Sequence, residues 1–170
     1  MKNKIIVAVI TAVLMFSATA CGNADNEDAS SASPYITENS VIEEYKQQEM
    51  ADLLEMWAFA YSTHDFLTYN DCVDTKLEFA DNSKFDQPIT ENYFDTVTNC
   101  EILNIDFANA QETDEKQYTI SVEYSITYNE EFKEENGLKQ GENLISSTMT
   151  IQENGAGNFF ISNIENSIKE

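Results

Sequence analysis

The spacing of hydrophobic and polar positions changes character three times along this chain. Residues Ile5 to Phe16 are apolar apart from Thr11. A polar stretch without periodic apolar positions then runs to about Thr37. From Val41 to Thr63 the apolar residues Ile42, Tyr45, Met50, Leu53, Leu54, Trp57 and Tyr61 recur at three- and four-residue steps, the spacing of one helix face. Glu43, Glu44, Lys46, Gln47, Glu49, Asp52 and Glu55 fall largely on the other face. Ser40 followed by Glu43 reads as a capping box at the start. Met56 to Tyr61 is apolar nearly all round, which predicts that this helix end is buried against a sheet. A turn at Thr63-His64 leads into a second helix, Asp65 to about Lys76, with Phe66, Leu67, Tyr69, Val73 and Leu77 as its apolar positions. A third short helix is expected over Glu91 to Val97, capped by Thr90.

The period then becomes two. Glu101 to Asn109 carries Ile102, Leu103, Ile105 and Phe107. Gln117 to Tyr128 is the clearest strand: Tyr118, Ile120, Val122, Tyr124, Ile126 and Tyr128 alternate with polar residues, so one face is apolar. Asn143 to Glu153 places Ile145, Met149 and Ile151 on one face. Asn154 to Asn158, containing Gly155 and Gly157, is a hairpin loop, and Phe159 to Ile164 is the closing strand. Between the second and third strands, Glu130 to Glu142 is an acidic loop with turn signals at Asn136-Gly137 and Gly141. Helices followed by four strands at hairpin spacing predict an α+β fold, with N-terminal helices packed on a curved antiparallel sheet of about four strands.

The opening segment adds an address. Lys2 and Lys4 precede the apolar run, and Ser17-Ala18-Thr19-Ala20 follow it. A run of about 12 apolar residues with a basic start and a small-residue end is a secretory signal; a membrane-spanning helix needs about 20. Cys21 directly after these small residues resembles a bacterial lipoprotein signal. That resemblance implies a signal peptide over 1–20, a lipidated Cys21 as the first mature residue, a polar tether over 21–37 and a folded domain over 38–170. An ordinary signal cut after Ala20 is the alternative. Two acyl chains suffice for a stable anchor where one is marginal, so the expected location is the extracytoplasmic face of the bacterial cell membrane. The tether's flexible stretch of about 15 residues has a reach of roughly 20 Å.

Composition narrows the partners. The chain has 31 acidic residues, nine Lys+Arg and a formal charge of −22, and all nine cations are lysines. Loss of Lys2 and Lys4 with the signal takes −22 to −24, two lysines fewer. A nucleic-acid binder carries a basic patch, so nucleic acid is excluded as a partner. Such charge also repels anionic lipid headgroups, which leaves Cys21 as the link to the membrane. A solvated acidic surface or a basic partner both fit. The 42% hydrophobic content and the many Phe and Tyr residues argue against wholesale disorder.

The element order, together with Trp57-Ala58-Phe59-Ala60-Tyr61-Ser62-Thr63-His64-Asp65-Phe66, is similar to bacterial lipoproteins of the NTF2-like superfamily. Here an aromatic- and alanine-rich helix end meets a polar turn, and an Asp opens the next helix. The resemblance spans about Val41 to Ile168 and implies a cone-shaped roll; cystatin-like domains are the runner-up. It implies a pocket between helices and sheet, which Trp57, Tyr61, Tyr118, Tyr124 and Tyr128 would line. In such folds the pocket binds a small apolar molecule, catalyses a reaction or is filled by side chains.

Candidate chemistry is sparse. His64 is the single histidine, beside Asp65; adjacent residues at a helix junction do not face each other, and Asp65 suits the start of the second helix. Asp106 and Glu123 are the carboxylates within the strands that an isomerase of this fold could use as a base. No catalytic motif of the usual kinds is present. One His and two remaining cysteines do not build a zinc site, and neither Asp71 with Asp74, Asp81-Asn82-Ser83 nor Asp114-Glu115 matches a calcium loop; no metal and no cofactor are expected. Cys72 and Cys100 form an even pair, which in an exported domain suggests a disulfide, with two buried free thiols as the alternative. The expected role is therefore non-catalytic: an interaction or accessory module, with an envelope protein partner held at the open edge of the roll. Ligand binding in the pocket and an isomerase- or dehydratase-like activity are the alternatives.

Overall fold

Two helices, α1 (Glu44–Thr63) and α2 (Phe66–Cys72), precede four strands: β1 (Val97–Thr113), β2 (Gln117–Tyr128), β3 (Gly141–Glu153) and β4 (Phe159–Ile168). The strands pair antiparallel in the order β1-β2-β3-β4. The fold is thus α+β, two helices on a four-stranded antiparallel sheet. The computed structural model describes residues 33–77, 94–113 and 116–169. The expected signal segment, Cys21, the tether through residue 32, most of the third short helix, and residues 81–83 and 114–115 lie outside the described residues. Val97, the expected end of that third helix, opens β1 instead.

The apolar face of α1 makes the core with β2. Met50, Leu54 and Trp57 are essentially sealed from solvent, each contributing about 1.5–3 kcal/mol by burial. Trp57 meets Tyr124 of β2 edge-to-face, ring centroids 5.3 Å apart. Four expectations for this helix need correction. Tyr45 is exposed rather than on the buried face, and Met56 and Phe59 are exposed too, so the helix end is buried on one side only. Gln47, expected on the polar face, is buried: its side chain accepts from the Thr37 N–H at 2.9 Å and donates to the carbonyls of Thr37 and Ile42. The capping box does not form. Ser40 Oγ instead accepts from the Ile42 N–H, and the helix begins at Glu44 without a side-chain cap. Gln47 holds the lead-in segment that the box would otherwise have fixed.

His64 ends α1 in the left-handed region, φ 57°, and Asp65 caps α2, accepting from Thr68 N–H at 3.2 Å and Thr68 hydroxyl at 2.8 Å. These bonds hold the Asp65 carboxyl below the ordinary range. The second helix stops at Cys72, short of the expected Lys76. Val73 turns extended and bridges Ile161 of β4 in parallel, and the Asp74 N–H donates to the Ile161 carbonyl at 2.8 Å.

The second strand keeps its whole apolar set inside: Tyr118, Ile120, Val122, Tyr124, Ile126 and Tyr128 are all buried, and on the opposite face Ser125 alone is covered as well. The first strand is longer than expected and irregular. Its buried positions are Val97, Cys100, Ile102, Ile105, Phe107 and Ala110, steps of three and two in turn, with register shifts against β2 at the three-residue steps. The first two shifts each place one extra residue on β1 and the third, between Asp106 and Gln111, places three; each odd insertion re-phases the strand, which is why Leu103 is exposed. Ser62 of α1 fastens this edge, its hydroxyl accepting from the Cys100 N–H at 2.7 Å. Tyr35 does so again, donating to the Ile102 carbonyl at 3.1 Å. The fourth strand runs past Ile164 to Ile168.

Candidate functional site

One face of the sheet, α1, α2 and the β2–β3 loop line a half-open cavity of about 380 Å³. It is lined by Trp57 and Tyr61 of α1, Tyr69 of α2, Tyr124, Ile126 and Tyr128 of β2, Asn136 and Leu138 of the loop, Ile145 of β3, and Ile164, Asn166 and Ile168 of β4. The alternation of β2 sends Tyr124, Ile126 and Tyr128 to one face, and the α1 spacing brings Trp57 and Tyr61 over them. The Tyr61 and Tyr69 rings stand 5.6 Å apart and both flank Trp57, at 5.8 and 6.3 Å.

The β2–β3 loop forms the outer wall, and its own side chains fix it there. Phe132 is buried and stacks on Tyr128 at 4.0 Å and 15°. Gln140 donates to the carbonyls of Glu130 and Phe132. Buried Asn143 accepts from the Lys139 N–H and donates to the Lys139 and Gly141 carbonyls. The tip, Glu135 to Leu138, is a tight turn with Asn136 at φ 52° and Gly137 at φ 82°, the pattern of an Asn-Gly type I′ turn. A Cβ on Gly137 would lie 2.9 Å from Ile168 Cδ1, so the glycine lets the loop close onto the end of β4.

None of the lining side chains is charged. Burial pushes the phenols of Tyr61 and Tyr124 well above their ordinary value and Tyr69 up to about 12, so all three are neutral hydroxyls at physiological pH. Tyr124 donates to Asn166 Oδ1 at 3.3 Å. Trp57, 2% exposed, has an indole Nε1–H with no hydrogen-bond partner. The Tyr69 hydroxyl lies close enough for that N–H to temper its upward shift, though the pair falls short of hydrogen-bond geometry. A buried donor left unmade costs about 1–3 kcal/mol, and such a group in a cavity wall suits an acceptor brought by a ligand.

Four of the five aromatic positions that the family resemblance assigns to a pocket, Trp57, Tyr61, Tyr124 and Tyr128, stand around this cavity. Tyr118 does not. It lies further along β2, where its ring packs near Phe159 and its hydroxyl accepts from Lys46 Nζ at 2.9 Å. Lys46 also faces Glu153 at 3.5 Å, and Lys116 pairs with the same carboxylate. Tyr69, Asn136, Leu138, Asn166 and the isoleucines went unrecognised. The signals present were Leu138 after an Asn-Gly turn and the Ile164-Asn166-Ile168 alternation.

The candidate acid–base residues stand elsewhere. His64 is exposed, and its Nε2 donates to the Val97 carbonyl at 2.7 Å, tying the α1 end to the start of β1. Asp106 accepts from the Asn109 N–H and side-chain amide at a β1 bulge. Glu123 pairs with Lys169 on the outer face. None of the three lines the cavity. Cys72 and Cys100 are buried free thiols, in place of the disulfide that an even pair suggests. Their apolar surroundings raise them to about 11 and about 12, with Asp71 adding to the shift of Cys72. Among the described residues no cluster of His, Cys, Asp and Glu could hold a metal ion, and no helix is long and apolar enough to cross a membrane. No protein-family model matches the chain, and no curated protein matches it either.

Proposed function

We propose that this protein is a lipid-anchored, extracytoplasmic lipoprotein whose NTF2-like domain binds a small molecule in the cavity between α1 and the sheet. The observation that carries the reading is the wall itself. An aromatic-lined space of about 380 Å³ holds no charged side chain and contains a buried indole donor without a partner. Ligand pockets are concave, mostly apolar and furnished with a few polar groups that orient the guest. The signal segment and Cys21 support the location, and the α+β arrangement is compatible with the NTF2-like roll. Catalysis is not part of the proposal. An acid–base site needs a group poised to move a proton, and the wall offers phenols held in the protonated state.

Trp57 is the single tryptophan of the chain and lines the cavity. Its emission therefore reports directly on occupancy. A co-purifying molecule seen by native mass spectrometry, or a library compound that shifts Trp57 emission and raises the melting temperature, is expected. The absence of all three signals across a broad metabolite library overturns the reading.

A second reading is favoured by a different observation. Met56 and Phe59 on the outer side of α1, and Phe66 and Leu67 of α2, are large apolar side chains at 45–76% exposure. Exposed apolar groups on neighbouring elements mark interaction surfaces, which suits an accessory role beside an envelope protein. Cross-linking from these positions in intact cells tests it: a single specific adduct is expected, and none argues against it.

A further inference from the structure

We infer that the ligand is an organic cation whose nitrogen is fully alkylated, a quaternary ammonium group with a short oxygen-bearing arm. The inference rests on the pocket-binding reading above and adds the ligand class. Five aromatic residues, Trp57, Tyr61, Tyr69, Tyr124 and Tyr128, stand in one cavity wall. Trp and Tyr rings carry negative faces, and sets of them are the usual receptor for quaternary ammonium groups. The phenols of Tyr61, Tyr69 and Tyr124 stay neutral there and keep their rings and hydroxyls intact as a lining.

Charge favours the same class. The chain carries −22, and the loop that supplies Asn136 and Leu138 to the wall holds Glu130, Glu131, Glu134 and Glu135 against Lys133 and Lys139. A field of that sign concentrates cations at the mouth and repels anions. Inside, however, there is no carboxylate. A metal ion or a primary ammonium would surrender strong hydration without a charged partner, which is costly. A tetraalkylated nitrogen is weakly hydrated and gives no hydrogen bonds, so it loses little on entry. The unpartnered Trp57 N–H then finds its acceptor in an oxygen on the arm.

Titration of the detergent-solubilised full chain in a maltoside detergent tests this, with calorimetry and Trp57 emission as readouts. The probes are choline, its uncharged isostere 3,3-dimethylbutan-1-ol, and ethanolamine. Choline is expected to bind at least tenfold more tightly than either, with affinity falling as salt rises. Equal binding of choline and the isostere overturns the cation assignment and leaves the pocket reading standing. So does failure of choline where another library compound shifts Trp57 emission. Stronger binding of ethanolamine overturns the preference for an alkylated nitrogen. Failure of every compound removes the pocket reading itself.

Discussion

At Gly137 the absence of a side chain lets the β2–β3 turn lie against Ile168. With φ at 82° and Ile168 Cδ1 2.9 Å from a would-be Cβ, Gly137→Ala meets both backbone strain and a clash. A loss of about 1–2 kcal/mol is expected from the left-handed conformation alone. Gly155→Ala, where nothing lies within 4 Å, is the control and should leave the denaturant midpoint nearly unchanged. Equal midpoints for the two variants would show that the turn does not bear on Ile168. The buried thiols contribute to the alkaline limit, alongside the raised phenols of Tyr61, Tyr69 and Tyr124. Cys100 moves from 9.0 to about 12 and Cys72 from 9.0 to about 11, so the unfolded chain ionises first. The stability this protonation contributes is complete below pH 9 and is lost as pH rises toward 12. Cys100→Ala should flatten that limb, read as the slope of unfolding free energy against pH, and both thiols should resist alkylation until the chain unfolds. A native protein that reacts at the rate of an exposed thiol, or an unchanged slope, contradicts this.

At the scale of the element, strict alternation was readable and broken alternation was not. The second strand obeys period two from Tyr118 to Tyr128, so its face could be assigned from residue type. Val122 is sealed within it. Val122→Asp buries an unpaired carboxylate and should cost several kcal/mol, whereas Thr148→Lys on the exposed side of β3 should stay within about 0.5 kcal/mol. Matching melting curves would mean the faces are reversed. The first strand defeated the same reasoning because three register shifts re-phase it, and the period of two survives only in short pieces such as Ile105 and Phe107. Gln47 misled for another reason: a polar residue was assigned to water, and its amide instead satisfies backbone groups of a segment ten residues earlier. The aromatic half of the cavity was legible through α1 and β2. The other half comes from a loop folding back, which no local pattern encodes. Loop closure depends on Phe132 meeting Tyr128 and on Asn143 gathering three backbone partners.

Across the whole molecule, the described chain enters beside β1 and the cavity is walled at the opposite edge of the sheet. Tyr35 is bonded to Ile102 of β1, while Ile164, Asn166 and Ile168 belong to β4. The lining residues all lie between Trp57 and Ile168 in sequence, so on the proposed reading loss of an anchor at Cys21 should leave ligand affinity unchanged. Cys21→Ser is expected to release the protein from membranes in cell fractionation while Trp57 emission titrates with the same midpoint; full membrane retention of the variant would refute the anchor. The parallel contact between Val73 and Ile161 bears on how the domain assembles. Each strand of the sheet pairs with its neighbour in sequence, so hairpins can zip up locally with little loop closure. The Val73 contact joins the stretch before the sheet to its last strand, and it can form only once β4 is in place. Tyr69 lies in α2, four residues before that join. Until that contact forms, α2 is not joined to β4, so the wall that Tyr69 shares with Ile164, Asn166 and Ile168 waits on the last strand.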